Sequence, residues 1–193
     1  YVDESVLFDM KNMANFLALN EELINVDPNI NRYIDYGKDT FVPTKTESER
    51  RINKLFQSIV DTNPLITFIS YGTTTGGYIE YPEFKPDGPY DPTERYWYKN
   101  AVENNEVIVS EPYQTQVTNE YVLSVDEVIR NKGSLVGVVS LTINLDNIME
   151  KLSKTTYGKS GYILAISPKG SIINSPHNKD WLLEPYESIG LGS

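Results

Sequence analysis

Apolar residues near the start of the chain recur at helical steps. Val6, Met10, Met13 and Leu17 are separated by four, three and four positions, one stripe of an amphipathic helix running to about Glu21 or beyond. The next segment, NVDPNINRYIDYGKDTFVPTKT, is rich in Asn, Asp and Pro and reads as loop with a turn or two of helix. Thr46 with Glu49 three residues on forms a capping box, and Ile52, Leu55, Phe56, Ile59 and Val60 draw an apolar face behind it. Asn63-Pro64 closes this second helix, because the proline ring pushes the preceding residue out of the helical region.

Beyond Pro64 the period becomes two. LITFISY, GYIEY, VIVSEPY and YVLSVDEVI predict strands, parted by turn signals such as GTTTGG and NKG. The clearest strand spans residues 135–145. Its odd positions Leu135, Val139, Leu141, Ile143 and Leu145 are apolar apart from Gly137, whereas Ser140, Thr142 and Asn144 turn the other side polar toward the end. One face therefore packs on a helix layer and the other lines a pocket at its far end. Asp91 as N-cap with Pro92 at the first helical position starts a short helix over TERYWYKNAVENN. A further helix follows over DNIMEKLSKTT, and GYILAISPKGSII reads as a hairpin around Pro168 to Gly170. Two long helices, an antiparallel sheet of about five strands, a connecting helix and a new hairpin make an α+β fold.

Composition narrows the chemistry. A net charge of -10 over 193 residues opposes binding to a phosphate backbone, so nucleic acid is excluded as a partner. Cysteine is absent and His177 is the only histidine, which removes disulfides, thiol nucleophiles, His-based triads and most transition-metal sites. No run approaches the ~18–20 apolar residues that span a bilayer, and the chain starts mid-pattern, so it reads as an excised piece. Glu80, Glu83, Glu111 and Asp126 show no spacing that selects an acid/base pair, and DGPYD lacks a calcium loop's density of oxygen ligands. Neither an enzyme nor a metal or cofactor site is expected. GTTTGG lacks the lysine of a phosphate-cradling loop and is a hairpin turn. The Met10/Met13/Leu17 stripe serves helix packing or a dimer seam.

Against this background YDPTERYWYKN, residues 90–100, gathers three tyrosines, a tryptophan and an arginine at a helix start. Taken singly, Arg95 is an ordinary surface ion-pair partner and Trp97 a core residue. Together with VIVSEPY, GSLVGVVSLTINLDNIMEKL and SGYILAISPKGSII, the stretch resembles the extracellular double Cache sensor domains of bacterial chemoreceptors and sensor histidine kinases, over roughly residues 50 to 175. That resemblance implies an N-terminal stalk helix and loop over 1–45, a membrane-distal PAS-like ligand-binding module over 46–157, and the start of an incomplete membrane-proximal module over 158–193. It also implies a domain outside the cell membrane, flanking transmembrane helices beyond this chain, and a homodimer through the N-terminal helix.

In amino-acid-binding members of that family the ligand carboxylate is held by residues matching Tyr90, Arg95, Trp97 and Tyr98, with Tyr113 on the next strand. All five stand here at the family's spacing. A guanidinium fork gives a carboxylate two parallel charge-assisted hydrogen bonds, and phenol and indole groups add donors. Members that bind amino acids or amines place aspartates at the positions of Thr115 and Thr142. Without them a buried ammonium lacks its counter-charge, at a cost of several kcal/mol. The resemblance thus implies a small carboxylate such as a hydroxy or keto acid in preference to a free amino acid, with Tyr113, Thr115 and Thr142 choosing among substituents; the alternatives are a ligand bound mainly by stacking, or an acid elsewhere such as Asp87 standing in for the aspartates. The function expected is that of the ligand-binding sensor domain of a chemotaxis transducer or histidine kinase. The alternative on the same fold is a ligand-free structural or protein-interaction module.

Overall fold

The computed structural model describes residues 4–37, 44–83, 86, 88–115, 118–153, 164–167, 169–175 and 178–190, the backbone alone at 4–6, 151–153 and 179. Asp87, Pro168 and His177 therefore lie outside the described residues, as does the expected module boundary near residue 158.

Helix α1, Glu4–Ala18, stops short of Glu21 because Asn20 caps a separate turn, α2, Glu21–Ile24, accepting from the Glu22 N–H at 2.9 Å. Met10, Ala14 and Leu17 form its buried stripe with Met13 packed alongside. The stretch after α2 holds one 3-10 turn, Tyr33–Asp35. Helix α3, Glu47–Thr62, begins at the capping box: Thr46 accepts from the Glu49 N–H, and the Glu49 carboxylate accepts from the Thr46 N–H at 2.7 Å. It ends immediately before Asn63-Pro64.

Strands β1, Phe68–Thr73, β2, Tyr78–Tyr81, β5, Tyr121–Asn131, and β6, Ser134–Asn144, carry the main sheet. Two short strands, β3, Ile108–Val109, and β4, Tyr113–Gln114, both pair with β5, giving the antiparallel order β2-β1-β6-β5-β3 with β4 beside β5. Period-two alternation then sorts the side chains. Ile69, Tyr71, Ile79, Leu123, Val125, Val139, Leu141 and Ile143 point back into one core with α1 and α3. Phe68, Ser70, Ser140 and Thr142 point forward, where helix α4, Tyr96–Asn104, crosses the sheet.

Leu135 departs from the odd-position rule and packs forward with Tyr78 and Trp97, while Val136 packs backward. The cause is a bulge: Ile129 faces Gly137 but Arg130 faces Leu135, so one extra residue inverts the alternation. Gly137 sits at this seam. A Cβ there would lie 2.3 Å from the Gly72 carbonyl oxygen and 2.7 Å from the Tyr71 ring. Gly137→Ala is accordingly expected to destabilise the domain by about 1–3 kcal/mol, the usual penalty for overpacking against backbone. Urea unfolding checks this, with Gly88→Ala, which meets nothing within 4 Å, as the neutral control.

Helix α5, Leu145–Ser153, follows β6 directly, and a two-stranded sheet pairs β7, Ala165–Ile166, with β8, Ile172–Asn174. This hairpin docks on the main body through Glu111, which accepts from the Ser167 hydroxyl at 2.6 Å and the Lys169 N–H at 3.0 Å. Ala165 and Ile173 join the rear core. Among the described residues no helix is long and apolar enough to cross a membrane.

Candidate ligand-binding site

On the front of the sheet, register places four polar side chains in one row. Glu80 of β2 faces Ser70 of β1, Ser70 faces Ser140 of β6, and Ser140 faces Asp126 of β5. Each of these residues stands one position from an apolar residue that fills the rear core, so alternation turns it to the opposite face. Glu80, Ser70 and Ser140 floor a cavity of about 180 Å³, with Asp126 buried at the end of the row. Drug-sized pockets run to about 300–1,000 Å³, so this one suits a small metabolite.

The roof comes from the segment before and within α4. Asp91 caps a 3-10 turn, Pro92–Glu94, its carboxylate accepting from the Thr93 N–H at 2.9 Å. The sequence predicts one helix from Pro92 onward; instead the turn closes, Arg95 takes extended backbone (φ -85°, ψ 151°), and α4 starts afresh at Tyr96. Arg95 occupies the N-cap position but its side chain caps nothing. Its guanidinium carbon lies 4.2 Å from the centroid of the Tyr90 ring, a cation–π contact, and its Nε is buried without a hydrogen-bond partner. Gly72 has no side chain in the way, so Pro92, Trp97 and Tyr98 come down onto β1. Tyr90 packs against Tyr78 with ring centroids 4.8 Å apart and the planes tilted by 48°, and Tyr96 against Tyr113 at 5.1 Å and 53°.

Six of the seven residues named from sequence line this one cavity: Tyr90, Arg95, Trp97, Tyr113, Thr115 and Thr142. Tyr98 does not. The turn of α4 carries its ring behind Trp97, 5.7 Å from it edge to face, into the position over Gly72, and burial pushes its phenol up to about 12. Thr115 spends its hydroxyl on Thr118 at 2.7 Å and on the Glu120 N–H. The residues that sequence reasoning missed are Phe68, Ser70, Tyr78 and Glu80 on the floor, and Tyr96, Gln114, Thr118 and Glu120 around it. Alternation within LITFISY and GYIEY puts Phe68 and Ser70, and Tyr78 and Glu80, opposite the apolar positions, a usable signal. Which strands lie beside them is not local information.

Two carboxylates set the electrostatics. Asp126 is wholly buried and accepts from Ser140 at 2.6 Å and Ser124 at 2.9 Å. Burial pushes it up to about 7, the two hydroxyls only partly opposing this. Glu80 accepts from Ser70 at 2.8 Å and from the Tyr78 hydroxyl, and burial likewise raises it to about 7. Burial, then the nearby Asp126 carboxylate, pushes the Tyr113 phenol up, so it stays a neutral donor. Among the described residues neither carboxylate forms a salt bridge with a cation, and no group of three or more His, Cys, Asp and Glu is placed to hold a metal ion.

A PAS-like antiparallel sheet with helices behind, a long N-terminal helix and a front cavity define a sensory ligand-binding domain. The chain belongs to the Cache domain family, which matches residues 4–188. It is 27% identical over 158 residues to the methyl-accepting chemotaxis protein McpA of Bacillus subtilis, covering 77% of this chain and 23% of that one. To McpG of Pseudomonas putida it is 30% identical over 137 residues, covering 69% and 21%. The chain thus spans less than a quarter of the length of these receptors. Among solved structures, the ligand-binding domain of the Pseudomonas fluorescens chemoreceptor CtaA in complex with L-valine superposes with a TM-score of 0.71 at 22% identity, covering 95% of this chain and 72% of that one. The Pseudomonas aeruginosa amino acid chemoreceptor PctC, in complex with GABA, gives 0.70 at 22%, covering 96% and 74%.

Proposed function

We propose that this chain is the extracellular sensor domain of a membrane-bound chemotaxis-type receptor, and that it recognises a small organic acid whose carboxylate sits at Arg95. Residues 46–157 are the ligand-binding module, and residues from about 158 open a second module nearer the membrane. The observation that carries the reading is Arg95 itself: a permanent cation held over Tyr90, its Nε buried with no hydrogen-bond partner among the described residues, on the wall of the front cavity. A buried donor left unpaired costs roughly 1–3 kcal/mol, more when charged, and a carboxylate removes that cost with a charge-assisted bond. The receptors it resembles, and the complexes with L-valine and GABA, support a ligand of that size bearing a carboxylate.

Occupancy reaches the membrane through the rear of the sheet. The floor strands β5 and β6 pack against α1 on their other face, so any closure over a ligand bears on the helix leading toward the membrane. Only a difference in ligand affinity between two positions of that helix can signal.

A melting screen against small mono- and dicarboxylates tests the reading. A ligand at about 100 times its Kd adds about 2.7 kcal/mol to stability, a shift of several degrees. Binders sharing a carboxylate are expected; a screen in which only compounds lacking one stabilise the domain contradicts the assignment. A cavity beside a cation with no salt-bridge partner among the described residues also favours this reading over a ligand-free interaction module, which has no use for either.

A further inference from the structure

Two ionisable groups of opposite sign line the same cavity yet do not meet. Arg95 makes no salt bridge with Glu80, and the Tyr78/Tyr90 pair stands between them. Both hydrogen bonds to the Glu80 side chain, from Ser70 and Tyr78, fall on Oε2, and no described residue donates to Oε1. The other described charges around Glu80 are already engaged. Lys45 pairs with Glu83 at 3.3 Å, and Glu49 accepts from Asn31 and from the Thr46 N–H. Among the described residues the remaining titratable groups facing it are the phenols of Tyr33, Tyr78 and Tyr90, all pushed up by burial and therefore neutral. A carboxylate in this setting, held by two hydroxyls on one oxygen with the other oxygen bare, is an acceptor built for a guest.

We propose that Glu80 is the specificity-determining residue of this cavity, receiving an ammonium group of the ligand on the side of the Tyr78/Tyr90 pair away from Arg95. The inference rests on the assignment of the carboxylate end to Arg95. It also overturns the reason for disfavouring amines: Thr115 and Thr142 supply no counter-charge, but the neighbouring strands do. The row Glu80–Ser70–Ser140–Asp126 runs beside Thr142, so the negative charge has moved along the sheet instead of vanishing. Ser140, whose proton is committed to Asp126, adds an acceptor lone pair on the same floor.

Matched pairs of compounds read this out. Isothermal titration calorimetry at pH 8, with 4-aminobutyrate against butyrate and L-valine against 3-methylbutanoate, offers the amine at two spacings from the same carboxylate. At least one amino compound is expected to bind the wild-type domain tenfold or more tighter than its des-amino partner. Glu80→Gln is expected to bring that ratio close to one while the des-amino compound binds as before; Arg95→Ala loses both.

The wild-type protein gives a second readout that needs no variant. Because burial raises Glu80 to about 7, an ammonium that binds its ionised form must expel a proton at pH 6.5. The amino compound's heat is then expected to depend on the ionisation enthalpy of the buffer with the sign of proton release, and to exceed any such dependence of its partner. A preference for the amine that survives Glu80→Gln, or amine binding without proton release, overturns the proposal. Binding of the des-amino acids alone, abolished by Arg95→Ala, overturns it too while sustaining the carboxylate assignment. Silence toward all four compounds counts against both.

Discussion

Replacing Arg95 with alanine is expected to weaken binding of the ligand by about 30-fold or more, with the empty domain melting within a few degrees of the wild type. Removing one partner of a desolvated, hydrogen-bonded charge pair costs about 2–5 kcal/mol, and each 1.4 kcal/mol is tenfold in affinity. The two halves of the expectation come from different features. Affinity falls because no other described cation lines the cavity. Stability hardly moves because the side chain caps no helix and leaves its Nε unbonded, so truncation removes only the contact with Tyr90. Arg95→Lys, which keeps the charge and loses the planar fork, should fall between the two. Calorimetric titration with urea unfolding of the same variants checks both halves. A variant that binds as tightly as the wild type would remove Arg95 from the site.

Asp126→Asn is expected to stabilise the empty domain at pH 8 by about 2–3 kcal/mol and to leave it nearly unchanged at pH 4. The sign follows from where the proton sits. Folding raises this carboxyl from the ordinary aspartate range to about 7, through burial with no cation beside it. Between about pH 4 and 7 the unfolded chain has given up the proton and the folded one still holds it, so stability falls as pH rises through that window. Above 7 the penalty is fully present, about 1.4 kcal/mol for each pKa unit and therefore at most about 4 kcal/mol. Asparagine cannot ionise, and the Ser124 and Ser140 hydroxyls can turn to pair its amide. Glu80 tilts the profile in the same direction, so some slope remains in the variant. Unfolding midpoints at pH 4 and pH 8 decide it; equal stability loss at both values would mean that Asp126 is held ionised in the fold.

Local rules carried the elements and half of the site. Thr46 and Glu49 announce α3 by themselves, because a capping box needs only residues three apart. Ser140 and Thr142 could be placed on the cavity face from alternation along one strand, and the helix-start cluster around Arg95 was recognisable by spacing. What escaped depends on contacts between distant segments. Glu80 and Asp126 become one row only because β1 and β6 come between them, a pairing that no window of either strand contains. Leu135 faces forward because Val136 is an extra residue in the pairing with β5, a register that β6 alone does not reveal. Tyr98 shares its spacing with true cavity residues, yet the interrupted helix start turns it over Gly72. Asp91-Pro92 signals a helix cap correctly without revealing that the capped turn is 3-10 and ends at Arg95.

A crystal structure of the domain with the strongest carboxylate from the melting screen bears most directly on the central claim. The expected result is continuous density in the cavity, a carboxylate within about 3 Å of the Arg95 guanidinium in two-pronged geometry, and the rest of the molecule extending over Tyr78 toward Glu80. Density lying elsewhere on the protein, or a bound molecule whose acidic end turns away from Arg95, would contradict it.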